Sequence, residues 1–294
     1  MNKLRIGVAL TCHNRRDKTL RSLECLYHAA GGLVNTVEMH VVVTDDGSTD
    51  GTARALHDTF PDVEVIAGNG DLYWAGGMRL ALSRLYALDL DHYLWLNDDT
   101  DLLPDALARL VSTHASLQQA TGRQGIVVGT TRDDCGRVTY GGWARRPRSW
   151  GALRFRRVVA DTTPLPCEAI NGNVVLVSAG AAAILGNLGM PFRHAMADTD
   201  YGLRALAAGV PVWVMPGTAG LCSHDHTVEG SFRDVNLPLS RRWRLLTSPK
   251  GLPVESWGAI CRRHCGILWP LHFAWPYVRT VCSSVLHVSR AAQR

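Results

Sequence analysis

Four polar clusters in this 294-residue chain carry residue types able to do chemistry, and each follows a short apolar run. They are Thr11-Cys12-His13-Asn14-Arg15, then Thr44-Asp45-Asp46-Gly47-Ser48-Thr49-Asp50-Gly51-Thr52, then Gly68-Asn69-Gly70-Asp71 with Trp74-Ala75-Gly76-Gly77, and last Asn97-Asp98-Asp99-Thr100-Asp101. Adjacent carboxylates are hard oxygen ligands. They suit a divalent cation that bridges a diphosphate. No Gly-x-Gly-x-x-Gly follows the first apolar run, and no Gly-x4-Gly-Lys-Ser/Thr occurs. That argues against a dinucleotide dehydrogenase and a P-loop enzyme. Each cluster taken alone could be an N-cap or a turn. Four in register weaken that explanation.

Hydrophobic spacing supplies the elements that must hold them. Ile6 to Leu10 reads as a buried strand, Asp17 to Ala30 as a helix, Val37 to Val43 as a strand and Ser48 to Phe60 as a helix. Val63 to Ala67 is a short strand, Ala75 to Leu88 a helix, His92 to Leu96 a strand, and Pro104 to Gln118 a helix with proline in its first turn. This alternation predicts a mostly parallel sheet with helices on both faces. Ligands of such sheets bind beyond the carboxyl ends of the strands, where the four clusters fall.

Composition sets outer bounds. With 46% hydrophobic and 19% charged residues, the chain is not disordered in type. The longest apolar stretch, Ile267 to Val278, is interrupted by Pro270, His272 and Pro276 and is too short to span a bilayer. The N-terminal segment reads as a first strand and not as a signal peptide. The eight cysteines are then expected to be reduced thiols in the cytoplasm. The spacings around Cys222-His224-His226 and Cys261-His264-Cys265 match no common zinc site. Net charge is +5, with arginine supplying 28 of the 31 basic residues. That balance suits phosphates, a membrane surface or nucleic acid without choosing among them.

The run Asp45 to Thr52, followed by Leu96-Asn97-Asp98-Asp99, resembles family-2 glycosyltransferases of GT-A fold. Asp71-Leu72-Tyr73-Trp74-Ala75-Gly76-Gly77-Met78 is similar to a subset near bacterial rhamnosyltransferases. The resemblance continues through Asn171-Gly172-Asn173 and Met196 to Arg204, and covers roughly residues 4 to 230. It implies an α/β, Rossmann-like, mixed but mostly parallel sheet. Residues 1–240 would be the catalytic domain, with 1–130 for the nucleotide sugar and 131–240 for the acceptor. Residues 241–294 would be a helical extension. It also implies an inverting transferase that takes a sugar from a nucleoside-diphosphate donor, a dTDP-rhamnose or UDP-sugar at family level, to a glycan or lipid-linked acceptor in cell-surface polysaccharide synthesis.

By the same resemblance, Thr11 and Asp45 contact the nucleotide, with Asn14, Asp46, Asp71, Trp74, Gly77 and Asp98 completing the donor site. Asp99, helped by Asp98, holds Mg2+ or Mn2+, with His224 as a further ligand and His226 as its alternate. Asp198 is the base. The sequence departs from the family pattern at Asn97, the first position of the usual Asp-x-Asp, and at Ala197, where a Glu is usual. Asp198 also reads as a helix N-cap, and Trp74 as core packing.

Two later stretches leave alternatives open. Thr139 to Val159 interleaves Trp143 and Trp150 with arginines, which suits acceptor contact, as do Asn171 and Gly172; it is equally a nucleic-acid-like signal. The tail predicts helices over Val254 to Ile267 and Leu271 to His287. Their tryptophans and arginines suit a membrane interface, packing on the catalytic domain or a dimer contact. A lipid-linked acceptor would put the chain at the inner face of the cytoplasmic membrane. The competing functional readings are an inactive nucleotide-sugar or carbohydrate-binding module and a nucleic-acid-binding protein.

Overall fold

A computed structural model describes residues 3–146, 153–223 and 228–291, with side chains described to residue 284. The elements run β1 (Leu4–Cys12), α1 (Arg16–Gly31), β2 (Val37–Asp45), α2 (Thr52–Thr59), β3 (Glu64–Ala67), α3 (Tyr73–Tyr86), β4 (His92–Leu96), β5 (Asp101–Leu102) and α4 (Ala106–Thr121). There follow β6 (Ile126–Arg132), β7 (Val138–Tyr140), β8 (Gly142–Arg145), β9 (Phe155–Val158), β10 (Leu165–Pro166), β11 (Ala169–Ile170) and β12 (Val174–Ser178). The chain closes with α5 (Ala179–Leu185), α6 (Ala197–Ala207), β13 (Val212–Leu221), α7 (Leu239–Thr247), α8 (Val254–His264) and α9 (Trp269–Ala291).

The main sheet has the order β10-β13-β6-β12-β4-β1-β2-β3. Its β3-β2-β1-β4 half is parallel, as the alternating pattern predicts. Strand β12 then inserts antiparallel between β4 and β6, with Val174 beside Leu96. This insertion brings the Asn171-Gly172-Asn173 turn to the edge where β4 ends. A small second sheet has the order β11-β8-β9 and packs on the main core through Ala144, Val158 and Ile170.

Successive side chains of a strand point to opposite faces, so the buried strands serve two cores. Tyr93 and Trp95 of β4 enter one core with Met78, Leu82 and Tyr201. Leu94 and Leu96 enter the other with Leu23, Leu26, Leu107 and Leu110. Both faces being covered explains the nearly continuous apolar runs of β1, β2 and β4.

Several sequence-based boundaries shift. The helix expected from Ser48 begins at Thr52, because Ser48 to Gly51 build a loop. Ser48 Oγ accepts the Asn14 N–H at 2.8 Å, Asp50 Oδ2 accepts the Arg16 N–H at 3.0 Å, and Gly51 sits at φ 82°. Asp50 therefore satisfies an orphan donor at the start of α1 from another loop, and the Thr52 hydroxyl, followed by the Arg16 N–H, holds its carboxyl below the usual range. The helix expected from Pro104 begins at Ala106, since β5 forms first and pairs with β13. The helix expected to end at Ile267 stops at His264, followed by Gly266 at φ 57°.

The tail docks on the body that carries the main sheet. Ile260, Cys261 and Cys265 are buried in the same core as Trp95 and Tyr201. Arg242 of α7 is 3% exposed; it donates to the Phe232 carbonyl, the Thr280 carbonyl and the hydroxyls of Ser283 and Ser284. The expected division at 240/241 falls inside α7.

Candidate active site

The floor of the site is a continuous path of contacts. The Asn97 N–H donates to the Asn173 carbonyl at 3.1 Å, extending the β4–β12 ladder. Trp74 Nε1 donates to Asn97 Oδ1 at 2.8 Å. The indole lies so close to Gly172 that a Cβ there would come within 2.3 Å of Trp74 Cζ2. The Gly172 N–H in turn donates to Asp198 Oδ2 at 3.0 Å. The Asn97-Asp98-Asp99 segment and Asp198, far apart in sequence, are thus joined by one run of contacts. Asn97 gains a physical reason: a neutral amide oxygen accepts the indole proton without adding a third charge beside Asp98 and Asp99.

Arg15 bridges those two acids, with Nη1 donating to Asp98 Oδ1 at 3.2 Å and to Asp99 Oδ2 at 2.6 Å. Burial, and then the charge of Asp99, push the Asp98 carboxyl up to about 7, against the opposing pull of Arg15. The Cys222 thiol at the end of β13 donates to Asp99 Oδ1 at 3.6 Å. Two oxygen-donor carboxylates already holding one cation are the right kind of site for Mg2+ or Mn2+, ions that take one or two carboxylates and complete their shell with phosphate and water. Among the described residues no group of three His, Cys, Asp or Glu converges as a metal site. His224 and His226 lie outside the described residues, as do Arg148 and Trp150. Arg15 has no role legible from its local sequence; the fold shows what it faces. Arg15→Ala is expected to tighten Mn2+ binding to the nucleotide-free protein about tenfold by removing the competing cation, about 1.4 kcal/mol. Calorimetric titration checks it, and unchanged or weaker binding contradicts it.

The donor-side residues divide by what they touch. Asp45, at the carboxyl end of β2, is 4% exposed, and its Oδ1 accepts the Ser48 N–H at 3.0 Å. The Cys12 thiol beside it is pushed up by burial, then by the charges of Asp45 and Asp98. Asp46 shapes its loop: its carboxylate accepts the N–H groups of Gly70 at 2.8 Å and of Leu72 and Tyr73 at 2.9 Å. Asn14, at φ 52°, accepts the Thr49 N–H at 2.8 Å and so ties the first two loops together. Asp71 is ion-paired with Arg193, whose guanidinium also stacks on Tyr73 at 5.1 Å.

Thr11 and Gly77 form the seam between β1 and α3. Thr11 Oγ1 donates to the Thr44 carbonyl at 3.2 Å, and a Cβ on Gly77 would sit 2.0 Å from that hydroxyl. Gly77→Ala is therefore expected to destabilise by about 1–3 kcal/mol through overpacking. A denaturant melt reads this, and an unchanged midpoint would refute the close approach.

Asp198 lies in the first turn of α6, where a helix N-terminus favours negative charge. Burial raises its carboxyl above the ordinary range, while the Thr199 and Gly172 N–H groups pull it down. The N-cap residue itself is Met196 at φ 72°. Two residues on, Asp200 is fully buried and meets Arg204 at 3.0 Å, Arg263 at 2.9 Å and His264 at 3.0 Å. Burial pushes Asp200 up, but His264, Arg263 and Arg204 outweigh it and hold the carboxyl low. Arg263 and His264 belong to α8, a link that no local pattern in the sequence signals.

On the acceptor side, the Asn171 N–H donates to the Gly141 carbonyl at 3.1 Å. Its Oδ1 is buried with no hydrogen-bond partner among the described residues. Trp143 of β8 carries the Arg157 guanidinium over its ring at 4.8 Å.

The family model described as glycosyl transferase family 2 matches residues 8–168. No curated protein matches the chain in sequence. Among solved structures, the chain is similar to the mannosyltransferase PcManGT from Pyrobaculum calidifontis in complex with GDP-Man and Mn2+, with TM-score 0.54 and 17% identity, covering 100% of this chain and 76% of that one. It is also similar to TarS of S. aureus, with TM-score 0.54 and 11% identity over 88% of this chain, though it spans only 42% of that one. A TarS segment 1–349 in complex with UDP gives TM-score 0.53 and 11% identity over 88% and 70% of the two chains. At such identities the likeness shows the fold alone, a GT-A fold.

Proposed function

The chain belongs to glycosyl transferase family 2, and we propose that it transfers a sugar from a nucleoside-diphosphate donor to an acceptor hydroxyl with inversion, using Asp198 as the base. The observation that carries this reading is the path from Asp98 and Asp99 through Asn97, Trp74 and Gly172 to Asp198. In this reading the acid pair meets the diphosphate and Asp198 takes the proton, and the contact path joins the two. Solved neighbours hold GDP-Man with Mn2+ in one case and UDP in another, which supports a donor of this class.

In this reading Asp45 and the edge of the Thr11–Asn14 loop border the nucleotide, and Asp71 and Trp74 border the sugar. Asp99 and Asp98 would hold Mg2+ or Mn2+, which when bound offsets charge on the departing diphosphate. Asp198 draws the proton from the acceptor hydroxyl as its oxygen attacks the anomeric carbon. The diphosphate leaves from the opposite face, which inverts that centre. Gly172 and Thr199 hold the Asp198 carboxylate in place through their N–H groups. Asn171 and Gly172 form the turn beside Asp198 that we assign to the acceptor side. dTDP-rhamnose or a UDP-sugar is the donor we favour. A lipid-linked acceptor in cell-surface polysaccharide synthesis would bring the chain to the inner face of the cytoplasmic membrane.

A thermal-shift screen of UDP-, dTDP- and GDP-sugars with and without Mn2+ tests the donor. A ligand at 100 times its Kd stabilises the folded state by about 2.7 kcal/mol, so the true donor raises the melting point, and does so more with Mn2+. No shift from any of them contradicts the reading. Binding without turnover would instead assign an inactive binding module.

A further inference from the structure

The C-terminal helices leave an apolar face bare. One side of α9 faces the protein. The Phe273 carbonyl accepts Trp257 Nε1 at 3.0 Å, the Tyr277 hydroxyl donates to the Leu252 carbonyl at 2.8 Å, and Thr280 and Ser284 meet the buried Arg242. The other side carries Leu271, Trp275 and Val278, which are 63%, 58% and 51% exposed. Steps of four and three put them in one stripe. Ile267, in the turn just before, is 92% exposed. On α7, Trp243 is 42% exposed, but its ring lies 5.8 Å from the buried Tyr277, on the flank of the stripe and not within it. Single exposed apolar side chains are ordinary, but a contiguous patch marks an interaction surface.

The charge around the patch says what covers it. Arg241, Arg244, Arg262 and Arg279 are exposed on the same helices. Residues 241–294 hold nine Lys or Arg against one acid, Glu255, in a chain whose total is +5. The rest of the chain is therefore net acidic, and the positive charge is concentrated on the tail. We infer that this face lies on an anionic lipid bilayer, with α9 in the plane of the headgroups and Trp275 at the apolar boundary. No described helix is long and apolar enough to cross a membrane, so the contact is interfacial. A second copy of the chain is a poor occupant, because a two-fold contact sets the same cations against each other.

Co-sedimentation of the full chain with vesicles, in the absence of any sugar donor, tests this. Vesicles of phosphatidylcholine with phosphatidylglycerol are expected to carry the protein down. Phosphatidylcholine alone should bind at least tenfold less, and raised salt should weaken the anionic arm. The double variant Leu271→Glu/Trp275→Glu should lose binding at least tenfold while keeping the wild-type melting point and donor affinity. Protein that stays in the supernatant with anionic vesicles overturns the inference. So does light scattering that shows a dimer which the double variant converts to monomer. With no donor present, neither outcome bears on the transfer reaction.

Discussion

Asp198→Asn is expected to lower the transfer rate by roughly 100- to 10,000-fold while leaving donor affinity near that of the wild type. The amide keeps an oxygen to accept the Gly172 or Thr199 N–H, so the α6 terminus and the 171–173 turn stay joined. What it loses is the ability to take a proton. The base works only when ionised, and burial raises its carboxyl above the ordinary range. The wild-type rate should therefore fall as pH drops through that raised value, and the Asn variant should show no such limb. A pH–rate profile of both proteins reads this. Equal rates would remove Asp198 from the mechanism.

Asp200→Ala should give the largest loss of stability. It strips the common partner from Arg204, Arg263 and His264, of which Arg204 and His264 are 25% and 8% exposed at the side chain. Breaking a buried pair from one side costs about 3–5 kcal/mol. Arg263 is 39% exposed and is partly compensated by water, so about 3 kcal/mol is expected, near a 5 °C fall in Tm. The sign with pH follows from the lowered carboxyl. The contribution is complete above the ordinary carboxylate range and is lost as pH falls through the depressed folded value. A calorimetric melt at neutral and acid pH checks both parts: the wild type and the variant should converge in acid. A neutral variant would mean that α8 is held by its apolar contacts alone.

Much of the frame was legible because it rests on periodicity. The strand at His92–Leu96 has the same bounds in sequence and structure. The Asn97-Asp98-Asp99 and Asp45-Asp46 clusters fall at strand ends because apolar runs must stop where the sheet meets water. What the sequence withheld is long-range. Asp46 and Asn14 accept backbone N–H groups from distant loops, bonds that no local pattern signals. Trp74 was open between packing and binding, and it does structural work on Asn97 while bordering the cleft. The Arg263–Asp200 pair spans 63 positions, beyond any local pattern. Antiparallel β12 was also hidden, since an apolar run does not announce its direction.

The account rests on two separable duties in one cleft, diphosphate binding at Asp99 and proton removal at Asp198. Calorimetric titration of the donor nucleotide with Mn2+ into wild type, Asp99→Asn and Asp198→Asn separates them most directly. The account predicts that Asp99→Asn loses the Mn2+-dependent part of the affinity and that Asp198→Asn binds as the wild type does. Wild-type affinity in Asp99→Asn, or loss of binding in Asp198→Asn, would contradict it.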